Sequence, residues 1–557
     1  MKLPNLATDK YRWLALVFLA LSLAIVIIDN NVLTVAIPYI LRDLHTTFDG
    51  IQWVISGYAL IIASILITVG RIGDLFGRKK LFLCGTALFA VGSFIASVAP
   101  NVLMLFIGEA LIEAVGAAMM LTSSLSLIVT EFQGKERAIA FGIWGSVAGA
   151  SASIGPLLGG FLTTYYSWRW SLRINVFIAI IAILGSVFIK EAKGLQSKKF
   201  DWVGTVVSGI GLFLLVFGFI EGRNFGWWFP TQNAALAGFH WPLTTISFIP
   251  FVFLLAIVFL CWFLWNEYQL EKNNGEPLLR LSLFKNRGFT LGLTAMGILV
   301  MGQFGTFFIF PLYYQNVLNL TAFQTGLLFL WTSITIAAVG PLSGVLAARF
   351  GPKWVVVIGM CASFLGIFWM STLLSKTATG FIFGPALILL GIGIGFASSQ
   401  VTNIILSHVP QQFSGEASAV NATFRQVGSS IGISLIGSIL AVSLSMNIAA
   451  NIHTDNGLPP VIRQQIAKDV QNINAESGTQ SLHSKLPTKA ICLPHSMQCI
   501  SPQLIFNSVK DDVDQALIAA AKDALHVGLV FIAIGIVLTV FIPEDKKQIK
   551  QQKALRH

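Results

Sequence analysis

Apolar residues in this chain come in long unbroken runs. Fourteen such runs lie near 13–37, 51–69, 81–99, 101–125, 139–163, 173–190, 202–221, 246–270, 288–312, 324–347, 354–374, 380–407, 416–446 and 525–543. A helix of about 20 apolar residues spans a hydrocarbon core about 30 Å thick. The pattern therefore predicts an all-α integral membrane protein with fourteen transmembrane helices. The first run is too long for a cleaved leader, and Asp29 and Pro38 stand where small cleavage-site residues belong. Composition agrees: 55% of the 557 residues are hydrophobic and 11% are charged, against about 25% charged in a soluble domain.

The formal net charge of +11 invites a nucleic-acid reading, which the positions of the charges exclude. Lys2, Lys10 and Arg12 precede the first run. Arg71, Arg78, Lys79 and Lys80 follow the second, Lys135 and Arg137 the fourth, and Lys190, Lys193, Lys198 and Lys199 the sixth. Lys272, Arg280, Lys285 and Arg287 follow the eighth, Arg349 and Lys353 the tenth, and a basic tail the last. The alternate short loops are nearly bare of Lys and Arg. This positive-inside asymmetry, with an even number of spans, predicts a multi-pass protein of the cytoplasmic (inner) membrane with both termini in the cytoplasm.

An internal repeat divides the chain. Gly70 to Lys79 (GRIGDLFGRK) follows the second run, and Gly344 to Lys353 (GVLAARFGPK) follows the tenth. Each joins the second and third helices of a six-helix unit. The expected organisation is a first unit over 1–195, two additional helices with linkers over 196–284, and a second unit over 285–557 that carries an external loop at 447–524. Parallel units related by an axis along the membrane normal are a transporter architecture, with the substrate site near the bilayer midplane. The second copy lacks the acid, since Ala348 stands where the first has Asp74.

Three acids fall inside the runs of the first unit: Asp29, Glu109 and Glu113. A carboxylate at that depth is costly unless it is protonated, paired or facing a wet cavity, so intramembrane acids mark proton or ion pathways. Glu109 and Glu113 are four apart and share one face of an α-helix. Two such groups do not both ionise cheaply, so a proton is expected to be shared between them. Asp29 lies about 24 Å along its helix from the basic end, in the outer half of the bilayer.

In the loop after the second run, Gly70, Gly73 and Gly77 allow close helix approach. Asp74 can accept from Arg78 four residues on, or from a helix N-terminus across the interface, while Arg71 adds charge. Such a latch suits a gate that holds in one state and releases in another. Residues 70 to 79 resemble the signature loop of the major facilitator superfamily, Gly-x-x-x-Asp-x-x-Gly-Arg-(Arg/Lys). Further segments are similar to its fourteen-helix drug:proton antiporters. They are Asp29 to Pro38, then Gly145 and Gly149 with Gly155-Pro156-Leu157-Leu158-Gly159-Gly160, Trp168-Arg169-Trp170 with Asn175, and Gly415 to Gly432 with Asn421, Arg425 and Gln426.

The resemblance implies proton-coupled export, with Asp29 as proton site and the Gly145–Gly159 segment as the antiporter motif. Mechanically, proline interrupts the helix ladder, and the glycine face is expected to pack against the opposite unit. This chain also departs from the family. Asn31 and Thr34 replace its Thr and Asn. Where the fourth span usually carries an Arg, then Gln-Gly, this chain has Ala110, Glu113 and Ala114. The Arg's role in proton transfer does not carry over, and Glu109 or Glu113 is the candidate substitute.

Arg425, about nine residues into the thirteenth run, is deep enough to need a partner, either a carboxylate or backbone carbonyls. Phe304, Phe307 and Phe308, with Gln303, are candidates for an aromatic cavity wall. Cys492 and Cys499, in the external loop, are candidates for a disulfide. No nucleotide-binding loop and no metal-ligand spacing stands out, so neither cofactor nor metal is expected, and an ion gradient is the expected driving force. The expectation is a proton-coupled exporter of lipophilic, cationic drugs or toxic compounds, an antibiotic-resistance function. Its partners are the bilayer, small molecules, protons and a periplasmic adaptor. The alternatives are a carrier for one metabolite (an amino acid or siderophore) and a membrane sensor without transport.

Overall fold

The computed structural model describes residues 9–46, 48–191, 200–230, 235–236, 239–240, 246–454, 491–492, 499–500 and 502–543. Among them are fourteen helices long and apolar enough to cross a membrane. In chain order the first six are α1 (Asp9–Asp43), α2 (Phe48–Phe76), α3 (Arg78–Ser97), α4 (Val102–Glu131), α5 (Gly134–Tyr165) and α6 (Trp168–Gly185). Two more follow, α7 (Trp202–Phe225) and α8 (Ile249–Lys272). The last six are α9 (Arg287–Asn316), α10 (Ala322–Phe350), α11 (Pro352–Leu373), α12 (Gly384–Ser407), α13 (Ser414–Thr454) and α14 (Pro502–Val540).

Side chains set the helix starts. Asn101, Ser167, Asp201 and Asn286 accept from backbone N–H groups at the N-termini of α4, α6, α7 and α9. Thr321 and Gln324 close a reciprocal capping box on α10. The repeat seen in the sequence is also a backbone repeat. Gly77 (φ +109°) and Gly351 (φ +91°) break the chain between the second and third helices of each unit, in a conformation that only glycine adopts without strain.

Within the first unit α3 packs on α4 and α6, α1 on α5 and α6, and α2 on α4. In the second, α11 packs on α12, and α9 on α13 and α14. Two seams join the units, one between α5 and α10 and the other between α2 and α13. The additional helices α7 and α8 pack on each other, and α7 also lies against α2 and α13.

The segment expected as an external loop at 447–524 is helical at both ends: helix α13 continues to Thr454 and α14 begins at Pro502. Two short antiparallel ladders are described, β1 (Ala235–Leu236) with β2 (Phe239–His240), and β3 (Ile491–Cys492) with β4 (Cys499–Ile500). The second ladder sets Cys492 opposite Cys499 in the backbone register. Their side chains, and hence the disulfide expected there, lie outside the described residues.

Candidate functional site: a buried acid triad and a charged lock

Asp29, Glu109 and Glu113 come together. Each presents a carboxylate oxygen within 4.8 Å of the others, and all three are at most 1% exposed. Glu109 and Glu113 lie seven and eleven residues into α4, whose segment Ile107–Glu113 is wound as a π-helix. Such single-turn π segments cluster at functional sites. The α-helical face drawn from sequence is thus corrected: the wider turn, not α geometry, aims both glutamates at α1.

Close approach of α3 makes room for this. A Cβ on Gly92 would stand 2.5 Å from the Glu113 backbone nitrogen, and one on Gly108 would stand 2.6 Å from the Ala96 nitrogen. Gly92→Ala is therefore expected to force the π turn away from α3 and destabilise the protein by about 1–3 kcal/mol. A thermal unfolding midpoint equal to that of the wild type would remove this account of the glycine pair.

Neutral polar groups from three other helices complete the site. Asn175 on α6 donates to Asp29 Oδ1 (2.6 Å) and to Ser93 Oγ (3.1 Å). The Ser93 hydroxyl has one proton for two acceptors, Glu113 Oε1 (3.1 Å) and the Leu172 carbonyl (3.2 Å). The buried Tyr58 hydroxyl on α2 has no partner and lies within electrostatic range of all three acids. One oxygen of each acid is also unpartnered.

Among the described residues no Lys or Arg pairs with the three acids. At an effective dielectric of 20, two charges 4.8 Å apart repel by about 3.5 kcal/mol. Full ionisation would incur that three times over. The same oxygens would suit a hard cation, although proton exchange needs none.

The triad is not in the space between the units. On α1, Ile28, Asn31 and Val32 meet Gly155 and Gly159 of α5, and Phe18 meets Gly185 of α6. Asp29 points past these into the first bundle, while its exposed neighbour Asn30 is turned about 100° away.

At the end that carries the basic loops, the latch is assembled as its sequence suggested. Asp74 accepts from Arg78 at 2.8 and 3.1 Å and from the Glu416 backbone N–H at 3.0 Å, at the start of α13. Gly415 leaves no room for a side chain beside that carboxylate, and Gly70 is pressed against Gly415 and Ala419. Gly73 abuts Leu81 and Gly77 abuts Glu191, which accepts from the Lys79 N–H at 3.0 Å. Arg78 also reaches the Gln411 carbonyl (3.2 Å).

Arg71, 1% exposed, is held between Glu416 (3.2 Å) and Glu276 (2.9 Å), the latter from the linker between α8 and α9. The same linker returns the Arg280 backbone N–H to Glu416 (3.4 Å) and sets the Arg280 guanidinium over the Phe413 ring (4.4 Å). Glu276 and Glu416 were not singled out in the sequence, and Arg280 was read only as one of the basic loop charges; their partners lie far away in the chain, so no local pattern marked them. At the opposite end Trp168 and Arg169 tie α6 to α1. The Trp168 indole N–H, with Arg169 beside it, holds the Asp43 carboxyl below its ordinary range.

Three expectations need correction. The glycines of α5 do not form one face toward the opposite unit. Gly142, Gly145 and Gly149 meet α10 and α12 of the second unit, but Gly155 and Gly159, flanking Pro156, meet α1 of their own unit. Helical drift over fourteen residues carries the small positions from one neighbour to the other.

Among the described residues Arg425 pairs with neither a carboxylate nor a carbonyl; its guanidinium lies over the Trp144 ring of α5 at 5.7 Å, separate from the acid triad. Of the aromatics, Phe307 meets Phe329 within its own unit, the rings tilted by 30° with centroids 5.5 Å apart, and Phe308 is half-buried. Phe304, 44% exposed, falls between the sector where α9 meets α10 and that where it meets α13.

A family model described as Major Facilitator Superfamily matches residues 19–231 and 229–433. The tetracenomycin C resistance and export protein of Streptomyces glaucescens is 30% identical over 431 residues, covering 77% of this chain and 76% of that protein. Puromycin resistance protein pur8 of Streptomyces alboniger is 30% identical over 457 residues, covering 81% and 85%. Multidrug resistance protein Stp of Mycobacterium tuberculosis is 28% identical over 464 residues, covering 83% and 82%. Among solved structures, the proton:xylose symporter XylE aligns over 99% of this chain and 100% of its own, with a TM-score of 0.57 at 11% identity. That last likeness is one of fold.

Proposed function

The chain belongs to the major facilitator superfamily, and we propose that it exports lipophilic drugs or toxic compounds across a bacterial inner membrane in exchange for protons. The observation that carries the coupling is the triad Asp29–Glu109–Glu113, three carboxyl groups within 4.8 Å, buried in lipid-spanning helices without a basic partner among the described residues. Relatives named for resistance to tetracenomycin C, puromycin and multiple drugs support the substrate class.

In this reading the basic loops face the cytoplasm, as do both termini. The two six-helix units rock about the seams, and the Asp74–Arg78–Glu416 lock closes the cytoplasmic side. Protonation from outside neutralises the triad and frees α1 to shift; α1 passes that shift to α5 through Gly155 and Gly159, and α5 carries it to the second unit. Release of protons inward resets the cycle. A periplasmic adaptor, where one exists, would meet the outer ends of α13 and α14, which run beyond their apolar segments.

The test is efflux of a panel of fluorescent dyes from proteoliposomes under an imposed proton gradient. Dye movement that follows the gradient, with reciprocal proton uptake, is expected. Dye movement indifferent to the gradient overturns the coupling, and no movement of any dye overturns export.

A further inference from the structure

We infer that the seam between the two units holds an anion-recognising subsite, built from Arg425, Trp144 and Asn421, that takes the acidic group of an amphiphilic substrate. This deepens the export reading and rests on it.

One face of α13 crosses to the first unit along its length. Ser414 Oγ lies 3.3 Å from Ser126 Oγ of α4, and Arg425, eleven residues on, lies over Trp144 of α5. Ser414, Ser418, Asn421 and Arg425 are spaced four, three and four apart, a single helical stripe. Ser418 and Asn421 therefore look across the seam as their two flanking residues do. Both are fully buried.

These polar groups lack partners. Asn421 has neither its amide nitrogen nor its oxygen bonded, and Ser418 Oγ and Trp144 Nε1 are likewise unpaired. Arg425 makes no hydrogen bond or ion pair among the described residues; its contact is the Trp144 ring. A buried polar group without a partner is costly, and a charge more so. Arg425 and Trp144 lie at one depth, 11 residues into α13 and 10 into α5, and Asn421 stands one helical turn away on the same stripe, an arrangement of donors that suits an acceptor.

The sign of that acceptor follows from where the charges are. The triad acids lie behind α1, inside the first bundle; the charged groups of the lock, Arg71, Asp74 and Glu416, sit at the basic end of the α2–α13 seam, and Arg425 lies nine residues beyond Glu416 along α13. The sequence argument for a cationic substrate assumed that the acids meet the substrate; their placement assigns them to protons instead. A guanidinium fork matches a carboxylate in two parallel hydrogen bonds, and the indole and amide donate to the same oxygens. An organic anion leaving a negatively charged cell also moves with the membrane potential.

The experiment uses purified full-length protein and three probes on one scaffold: pyrenebutyrate, its neutral amide and the trimethylammonium analogue. Wild type is expected to bind the carboxylate at least about tenfold more tightly than the amide, the worth of a charge-assisted hydrogen-bond pair. Arg425→Gln should erase that preference by weakening the carboxylate far more than the amide, and Arg425→Lys should restore part of it. If Arg425→Gln does not fold, Asn421→Ala should still narrow the preference. Equal or reversed ranking in the wild type, or a carboxylate preference that survives Arg425→Gln, overturns the subsite. Proton-driven efflux of all three probes alike would overturn it while leaving export intact, whereas efflux of none would overturn export itself.

Discussion

Asp29→Asn abolishes gradient-driven export, lowering the coupled rate on the order of 100-fold, the scale of a lost proton-transfer group, while the protein still inserts and binds substrate. Asparagine keeps the shape of the side chain, so the contact with Asn175 (2.6 Å to Asp29 Oδ1) can re-form by amide rotation. What vanishes is a titrating group in contact with Glu109 and Glu113. With one fewer carboxylate the mutual repulsion within the cluster falls, so the remaining pair exchanges protons without the lever on α1. Downhill counterflow of substrate, which needs no proton cycle, should persist. Proton uptake measured alongside dye efflux checks this, and wild-type coupling in the variant would remove Asp29 from the pathway.

Asp74→Asn shifts the conformational balance toward the state open at the basic end. The Asp74–Arg78 pair lies within one chain segment and can survive opening; the bond that depends on closure is the one from the Glu416 N–H (3.0 Å). Loss of its charge-assisted part is worth about 2 kcal/mol, or roughly thirtyfold in the equilibrium. Cysteine accessibility on the two faces reports it, and equal accessibility in variant and wild type would count against the lock. Ala348→Ser, at the matching loop of the second unit, should change little, since that loop has no acid to lose.

Sequence and structure agree where the information is local. Apolar runs located the helices, and the four-residue spacing of Asp74 and Arg78 gave their ion pair. Relations between helices were largely hidden. No periodicity tells α4 to widen into a π turn at Ile107–Glu113, because that depends on Gly92 and Gly108 letting α3 come close. Nothing near Arg71 in the chain names its partners, which are 205 and 345 residues away. The glycines of α5 showed that tight packing occurs, but not that two different neighbours share it. Arg425 was read as needing a carboxylate or backbone carbonyls because depth is legible from sequence and the identity of the facing helix is not.

The linker between α8 and α9 bears on how a fourteen-helix transporter relates to a twelve-helix one. Removing residues 196–284 would look like a clean excision, since the units on either side each hold six helices. It would also delete Glu276 and Arg280, leaving the buried Arg71 with Glu416 alone and Glu416 without its backbone donor. An inserted pair whose exit strand has become part of the closing mechanism is no longer removable. A shortened descendant would need a compensating acid near Arg71 before it could hold its cytoplasmic side shut. Gain of two helices in this lineage would then act as a ratchet, easier to enter than to leave.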